Sequence, residues 1–242
     1  LSFRRNPSLH SSGHSTCQGL QRMNGLLTPI SRRLKRMRRR RKVGRAYDMS
    51  LEITRILKAG DRVLDVGCGN GFIAHHLNSL LGQRVVGLDV SESTSARINY
   101  LPYDGQHFPV LDSTFDAVLL CYVLHHASDP GIVLKEVHRV LRPNGTVIVY
   151  EDNPSCWWDK AVCWVHNQQW KGRTGDCTFQ LRHEWDQVFS NTGFKVLKER
   201  SLSRWRNLAH PVSRSFFVLE AEQSVAEASR LETWSQAEQR AA

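Results

Sequence analysis

The chain has 242 residues, which suffices for one domain with a full hydrophobic core and additional terminal segments. No run of about 18 or more apolar residues occurs, so the sequence predicts no membrane-spanning helix. The formal net charge of +10 belongs to residues 31–45, which hold ten basic residues and no acidic one, while the rest of the chain is balanced.

Residues 1–45 form a basic arm that is predicted to be disordered or partly helical. No acidic residue precedes Asp48, and residues 1–30 are rich in Ser, Gly, Asn and His. Three interpretations stay open: a solvated appendage or translation begun ahead of Met23, contact of residues 31–45 with nucleic acid or an anionic membrane, and an organellar targeting sequence. The activity of the protein is not expected to depend on this arm.

Apolar residues at helical spacing predict a helix from Arg45 to Ala59, and a buried strand follows from Arg62 to Val66. The strand runs into Gly67, Gly69 and Gly71, and a helical pattern covers Asn70 to Leu81. Glycines at such a turn let a ligand approach the main chain, and the helix N-terminus offers unpaired N–H groups. The turn is therefore predicted to bind a nucleotide-like cofactor.

Asp65, two residues before the first glycine, indicates which kind of cofactor the turn binds. A dinucleotide site spaces its glycines G-x-G-x-x-G, whereas this chain has G-x-G-x-G. A carboxylate under the turn would repel a pyrophosphate but would attract an ammonium group. A nicotinamide-dependent oxidoreductase is therefore disfavoured.

Further strands and helices alternate along the chain, which predicts a parallel sheet with helices on both faces. The predicted elements are a strand at 84–89, a strand at 98–103, a strand at 117–123, a helix at 131–141, a strand at 146–151, a helix at 183–189, and two final strands at 194–202 and 216–220 that form a hairpin. Only residues 91–96 separate the second and third strands, so the helix usual between parallel strands must be one turn or absent. Residues 223–242 are expected to be a polar, helical tail.

The segment from Asp65 to Gly71 resembles motif I, D-x-G-x-G-x-G, of the class I S-adenosylmethionine (SAM)-dependent methyltransferases. Segments at 112–116 (DSTFD), 123–126 (VLHH) and 139–145 (RVLRPNG) follow in the order of the type 11, UbiE-like branch. The resemblance covers residues 46–222 and implies a Rossmann-like α/β fold with a seven-stranded, mostly parallel sheet of order 3-2-1-4-5-7-6. It also implies SAM as the cofactor.

The resemblance assigns roles to residues at matching positions. Gly67, Gly69 and Gly71 would let the methionine part of SAM approach the backbone, and Asp65 would favour its ammonium. Asp89, 18 positions after Gly71, would accept the ribose hydroxyls, as an acid at about this distance does in related nucleotide folds. The remaining matches are Val90 along the adenine, Asp104 at the adenine amino group, and Cys121 at the strand end that faces the ligand.

His125 and His126 follow the fourth strand, where open parallel sheets place ligands. Either could act as a general base, although the favoured interpretation is that the pair belongs to the scaffold and packs near the loop. Glu151 and Asp152, at the end of the fifth strand, could meet polar groups of an acceptor.

The insert at 153–179 is expected to encode substrate identity. It holds Trp157, Trp158, Trp164 and Trp170, with Trp185 just beyond. Two interpretations stay open: a cover helix that buries these indoles against the sheet edge, and a lid whose indoles stack on a flat or apolar acceptor.

The six cysteines show no paired spacing, which favours reduced thiols in a cytoplasmic protein. Cys156, Cys163, His166 and Cys177 do not have the spacing of a known zinc finger or ribbon, so no metal is predicted.

The predicted function is methyl transfer from SAM to a small-molecule acceptor, with the methylated atom (O, N or C) unresolved. Such a reaction needs mostly alignment and desolvation, so the lack of an obvious catalytic triad is expected. The alternative is a catalytically silent methyltransferase-like module that binds nucleic acid or membrane through its basic arm. Methylation of nucleic-acid bases is disfavoured, because Asn153-Pro154 is not an N-P-P-Y motif and follows the fifth strand.

Overall fold

The computed structural model describes residues 15–82 and 84–222, without the side chains of residues 15–30, 173 and 174. Its contacts divide the chain into two units, residues 1–45 and residues 46–242. Helix α1 (Ser15–Ile53) includes most of the basic arm, whose side chains are largely exposed from Ser31 to Lys42. Among the helices described, none combines the length and apolar character that crossing a membrane requires. The first 14 residues of the arm and the predicted tail at 223–242 lie outside the described residues.

One seven-stranded sheet organises the second unit. Its order is β3-β2-β1-β4-β5-β7-β6, as the family resemblance implied. Strands β1 to β5 pair in parallel, and β7 runs antiparallel to both β5 and β6. The strands are β1 (Arg62–Val66), β2 (Arg84–Asp89), β3 (Asn99–Pro102), β4 (Phe115–Cys121), β5 (Leu141–Asp152), β6 (Phe194–Leu202) and β7 (Arg214–Ala221).

Helices cover both faces of the sheet. The remaining helices are α2 (Phe72–Leu81), α3 (Pro130–Val140), α4 (Trp157–Thr174) and α5 (Arg182–Asn191). Buried residues of α3 and α5, such as Leu134 and Trp185, pack in one apolar cluster with alternate residues of the central strands. Leu77 of α2 and Ile53 at the end of α1 pack in a second cluster with the other alternate residues. Because strand side chains point to opposite faces in turn, these two layers hold the carboxyl ends of β1, β2 and β4 at one edge.

The connection between β2 and β3 has no helix, as the short spacing predicted. The loop over residues 90–98 is held instead by Ala96, whose N–H donates to the carbonyl of Asn70 at 3.0 Å. The Tyr100 hydroxyl also donates to the carbonyl of Ser91. The terminal methyl of Ile98 packs against Gly87 and Gly71, 2.7 Å and 2.9 Å from where a Cβ on these residues would lie. A nine-residue loop therefore joins two parallel strands without a regular crossover.

Several predicted boundaries were wrong. The helix expected to reach Ala59 ends at Ile53, because Ile56 and Leu57 both donate their N–H groups to the carbonyl of Ile53 and close a turn. The strand expected at 117–123 ends at Cys121, since Tyr122 has a φ of 60° that no strand accommodates. The fifth strand begins at Leu141 rather than Thr146, with an irregularity in its pairing to β4.

Candidate functional site

The glycine turn lies at the carboxyl edge of the sheet, between β1 and α2. All three glycines have positive φ, 67° at Gly67, 53° at Gly69 and 72° at Gly71. A Cβ at Gly67 would lie 2.4 Å from a methyl of Val123, and one at Gly71 would lie 2.6 Å from the Thr94 hydroxyl. A Cβ at Gly69 would meet nothing within 4 Å. The outer glycines are thus needed for close packing, while Gly69 presents bare main chain to an open space.

Asp65 lies under this turn as a buried carboxyl group. Both of its oxygens are inaccessible to solvent, and neither makes a regular hydrogen bond within the described part of the chain. Burial, with the charge of Asp89 nearby, raises the pKa of Asp65 to about 7, although the N–H of Ala74 opposes that rise. A buried acid without a good partner is a position where a cationic group of a ligand would be stabilised.

Asp89 ends β2 beside the glycine turn. One carboxylate oxygen accepts the N–H of Gly69 at 2.7 Å, and the other accepts the N–H of Ser91 at 3.0 Å. These bonds fix the carboxylate at the mouth of the turn. Val90, the next residue, is 55% exposed and lies close to Gly105. Asp89 and Val90 therefore offer a fixed hydrogen-bond acceptor and an apolar surface side by side.

Asp104 lies in the loop after β3, which is tied to β2 because the N–H of Tyr103 donates to the carbonyl of Asp89 at 3.1 Å. Its carboxylate accepts the N–H groups of His107 and Gln106, and these bonds, with the His107 side chain, lower the pKa of Asp104 to about 2. The structure thus uses this exposed acid to close a turn. Any bond from Asp104 to a ligand would be additional to that local role.

Cys121 ends β4 with its thiol in a buried environment. Burial, with the charges of Asp65 and Glu151, raises the pKa of this thiol well above its usual value. Cys68, in the glycine turn, has its thiol pKa raised by burial and by Asp65 and Asp89. These two thiols are therefore neutral packing groups near the acids, and neither is an activated nucleophile.

His125 and His126 lie in a short 3-10 turn after β4 (Leu124–His126), and their environments differ. The Nδ1 of His125 donates to the buried carboxylate of Glu151 at 2.5 Å; burial lowers the pKa of His125, but the charge and hydrogen bond of Glu151 raise it overall. The other oxygen of Glu151 accepts the N–H groups of Val123 and Leu124. Glu151 therefore positions the whole turn, a role that the sequence alone did not assign to it.

His126 contacts residues of the insert at 153–179. Its Nε2 lies 3.3 Å from Nε2 of His166 on α4, and its Nδ1 lies 3.3 Å from the sulfur of Cys177. Burial and the neighbouring imidazoles lower the pKa of His126 to about 3 and that of His166 to about 4. His166 and Cys177 are 40 and 51 positions from His126, and no local sequence pattern links them to it.

Asp152 also acts next to this cluster. Its carboxylate accepts a hydrogen bond from Nε2 of His210 at 2.7 Å and forms an ion pair with Arg214, whose Nε lies 3.1 Å away. Burial notwithstanding, these partners lower the pKa of Asp152. Asp152 is therefore paired with His210 and Arg214 inside the protein, which argues against its expected role of meeting polar groups of an acceptor.

The expectation of a cover helix with buried indoles was wrong. Trp157 is 76% exposed and Trp164 is 64% exposed, and Trp158 is also exposed, whereas Trp185 of α5 is fully buried. Trp164 lines an open pocket of about 360 Å³ between α4 and α5. The other lining residues include Lys160, Asn167, Phe179 and Glu184.

Phe179 connects this pocket to the histidines. Its ring stacks on His125 with the ring centroids 4.8 Å apart, and it also contacts His166. The N–H of Thr178 donates to the carbonyl of His125 at 2.8 Å. The insert is thus anchored at the carboxyl edge of β4, next to the glycine turn.

Taken together, Asp65, Gly69, Asp89 and Val90 fit a ligand that carries an ammonium group, hydroxyls and a flat apolar ring. The orphaned carboxyl of Asp65 and the open main chain at Gly69 are the two features of the structure that a SAM molecule would complement.

Comparisons with known proteins agree with this geometry. Residues 64–149 match the type 11 family model described as a methyltransferase domain. The sterol 24-C-methyltransferase erg6 of Schizosaccharomyces pombe is 31% identical over 162 residues, which are 61% of this chain and 43% of that protein. The ubiquinone/menaquinone biosynthesis C-methyltransferase UbiE of Haemophilus ducreyi is 29% identical over 110 residues, 39% of this chain and 42% of that protein. The chain thus spans less than half the length of these curated relatives.

Solved structures show the same fold. A SAM-dependent methyltransferase from Methanosarcina mazei has a TM-score of 0.57 at 19% identity, covering 71% of this chain and 97% of that one. The cyclase SpnF has a TM-score of 0.60 at 18% identity, covering 74% of this chain and 81% of that one. Residues 64–149 thus match a methyltransferase domain, and the chain has the fold of SAM-dependent methyltransferases of known structure; SAM is the cofactor that this family and fold imply.

Proposed function

We propose that the protein transfers the methyl group of SAM to a small, flat or apolar acceptor held beside α4. The observation that carries this proposal is the buried, orphaned carboxyl of Asp65 beneath the open main chain at Gly69. In this proposal Asp65 stabilises the ammonium of the cofactor, Asp89 accepts its ribose hydroxyls, and Val90 and Asp104 contact its adenine.

Bound SAM supplies an activated methyl group on a good leaving group, so the protein must align the acceptor and exclude water. The pocket with Trp164 and Phe179 supplies apolar and aromatic surface for an acceptor, and Lys160 and Glu184 supply polar groups that could orient it. The names of the relatives, a sterol and a quinone methyltransferase, support an acceptor of this kind.

His125 and His126 stay candidates for a general base. His125 is engaged by Glu151, which leaves His126 as the better candidate because its lowered pKa keeps it neutral and able to accept a proton. Its low basicity suits only an acceptor proton that is already acidic. Neither the comparisons nor the sheet geometry favours a non-catalytic module that works through the basic arm.

Calorimetric titration with SAM tests the cofactor site. We expect wild-type protein to bind SAM and Asp89→Ala to bind at least about tenfold more weakly, because charge-assisted hydrogen bonds are lost and the turn at Gly69 loses its cap. Asp61→Ala is the matched control, since Asp61 is a carboxylate just before β1, at the opposite edge of the sheet, where it accepts the N–H of Lys58. Absence of heat with the wild type, or equal weakening by both variants, would overturn the proposal.

Methyl-labelled SAM and a fractionated cell extract would then identify the acceptor. We expect label in a small, organic-soluble product, and less of it with Trp164→Ala than with the wild type at limiting acceptor. Label incorporated only into macromolecules would contradict a small-molecule acceptor.

A further inference from the structure

We propose that His125, His126 and His166 form a binding site for one divalent transition-metal ion of the zinc type. The site lies between the end of β4 and helix α4, so a bound ion would join the insert to the sheet edge. This inference does not depend on methyl transfer, because metal binding can be measured without SAM or an acceptor.

The imidazoles already have spacing close to that of a coordination shell. One ring nitrogen from each of the three histidines lies within 4.8 Å of the others. Nε2 of His126 and Nε2 of His166 are 3.3 Å apart. Two nitrogens at the usual zinc distance in a tetrahedral shell are separated by about 3.3 Å. Small rotations of the third ring would therefore complete a three-nitrogen site.

Each of the two adjacent histidines is held by an outer partner on its Nδ1 side. Glu151 accepts from Nδ1 of His125, which leaves the Nε2 of His125 buried and without a hydrogen-bond partner in the described part of the chain. The sulfur of Cys177 lies 3.3 Å from Nδ1 of His126, which directs Nε2 of that ring toward His166. A carboxylate behind a histidine is the usual outer support of a metal-binding imidazole.

The surroundings suit a cation of intermediate softness. Glu151 and Asp152 are buried acids beside the cluster, and His210, whose ring contacts that of His166, is paired with Asp152, as is Arg214. The rings of Trp170 and Phe179 pack against the imidazoles of His126 and His125. Three imidazoles select zinc, copper, nickel or cobalt rather than magnesium or calcium. A bound ion would take the place of the imidazole proton, so the base role of His126 and the metal role exclude each other.

The test is equilibrium dialysis of the full chain, produced without a histidine tag, against zinc, with bound metal measured by mass spectrometry. We expect one tightly bound equivalent, and no comparable binding of magnesium. His166→Gln should weaken zinc binding by at least about tenfold, and Glu151→Gln by about 10–100-fold. His183→Gln, a change at an exposed histidine of α5, should leave the affinity unchanged.

Two outcomes would overturn the proposal: no zinc equivalent in the wild type, or an equivalent that His166→Gln retains at the same affinity. Should His166→Gln not fold, the absorption spectrum of the cobalt-loaded wild type decides instead. Bands of nitrogen-coordinated cobalt would support the site, and a spectrum of free aqueous cobalt would overturn it. Failure of SAM binding would not affect either measurement, so the two proposals can fail separately.

Discussion

Asp65 is the residue whose ionisation links folding to cofactor binding. Its pKa of about 7 in the folded protein lies above the ordinary value of 3.8. The folded state therefore holds a proton that the unfolded chain releases between about pH 4 and pH 7, and Asp65 makes the folded protein less stable as the pH rises through that window. Above pH 7 the charge stays uncompensated until a cationic group meets it.

Asp65→Asn is expected to raise the free energy of unfolding of the ligand-free protein above pH 7, while weakening SAM binding by about 10–100-fold. Chemical denaturation and calorimetry measure the two effects. In the wild type, SAM affinity should increase by up to about tenfold per pH unit between pH 5.5 and 7, because the ammonium of SAM requires the ionised acid. A variant with unchanged affinity and the same pH profile would contradict the assigned role.

Gly69 allows a second residue-scale prediction with an internal control. Gly69 and Gly82 have similar positive φ values, 53° and 59°, and a Cβ at either position meets no atom within 4 Å. Alanine at either should therefore cost about 1–2 kcal/mol in the free energy of unfolding, from the left-handed backbone alone. Only Gly69→Ala should also weaken SAM binding, by at least about tenfold, as calorimetry would measure. Equal affinities in the two variants would place the ligand away from the turn.

At the scale of elements, the aromatic residues of α4 and α5 differ in what they support. Trp185→Ala removes a fully buried side chain and should lower the free energy of unfolding by about 3–5 kcal/mol. Trp157→Ala removes a mostly exposed side chain and should change it by no more than about 0.5 kcal/mol. Denaturant unfolding of the two variants measures this contrast. A large loss with Trp157→Ala would mean that α4 buries its indoles after all.

The sequence predicted the strands and helices well where their periodicity is strong. Asp129 caps α3 through a bond to the N–H of Gly131, and Pro130 begins the helix, both local signals that can be read from the chain. The exposure of Trp157 and Trp164 could not be read in this way, because indoles at helical spacing look the same whether a neighbouring element covers them or not. Burial depends on what packs opposite, and that is set by the whole fold.

The sequence indicated one part of the candidate site, the glycine turn with its acids, but not the part formed by long-range contacts. Asp65, the glycines and Asp89 lie within a single strand-turn-helix-strand unit, so their spacing carries the geometry. The contacts of His126 with His166 and Cys177 join three separate elements. No short pattern records such contacts, and the roles of Glu151 and His210 depend on the same long-range packing.

At the scale of the whole molecule, the excess positive charge and the candidate site belong to different units of the chain. Arg38, Arg39, Arg40 and Arg41 are exposed residues of α1 in the unit that precedes Ala46. Replacing all four with Gln should leave SAM affinity within about twofold, as measured by calorimetry at physiological salt, because salt screens exposed charges and none of the four belongs to the unit that holds the candidate site. A larger loss would show that the basic segment contributes to the cofactor site.

The missing crossover helix has a consequence for the local stability of the sheet edge when no cofactor is bound. Strand β3 is a short strand at the edge of the sheet, and most of its residues are exposed. A loop without a helix connects it to β2. That margin opens at lower free energy than the centre of the sheet. Because the proposed adenine contacts, Val90 and Asp104, flank it, an occupied site would close this margin by mass action. Proteolysis of the protein at this edge should then become slower as SAM is added.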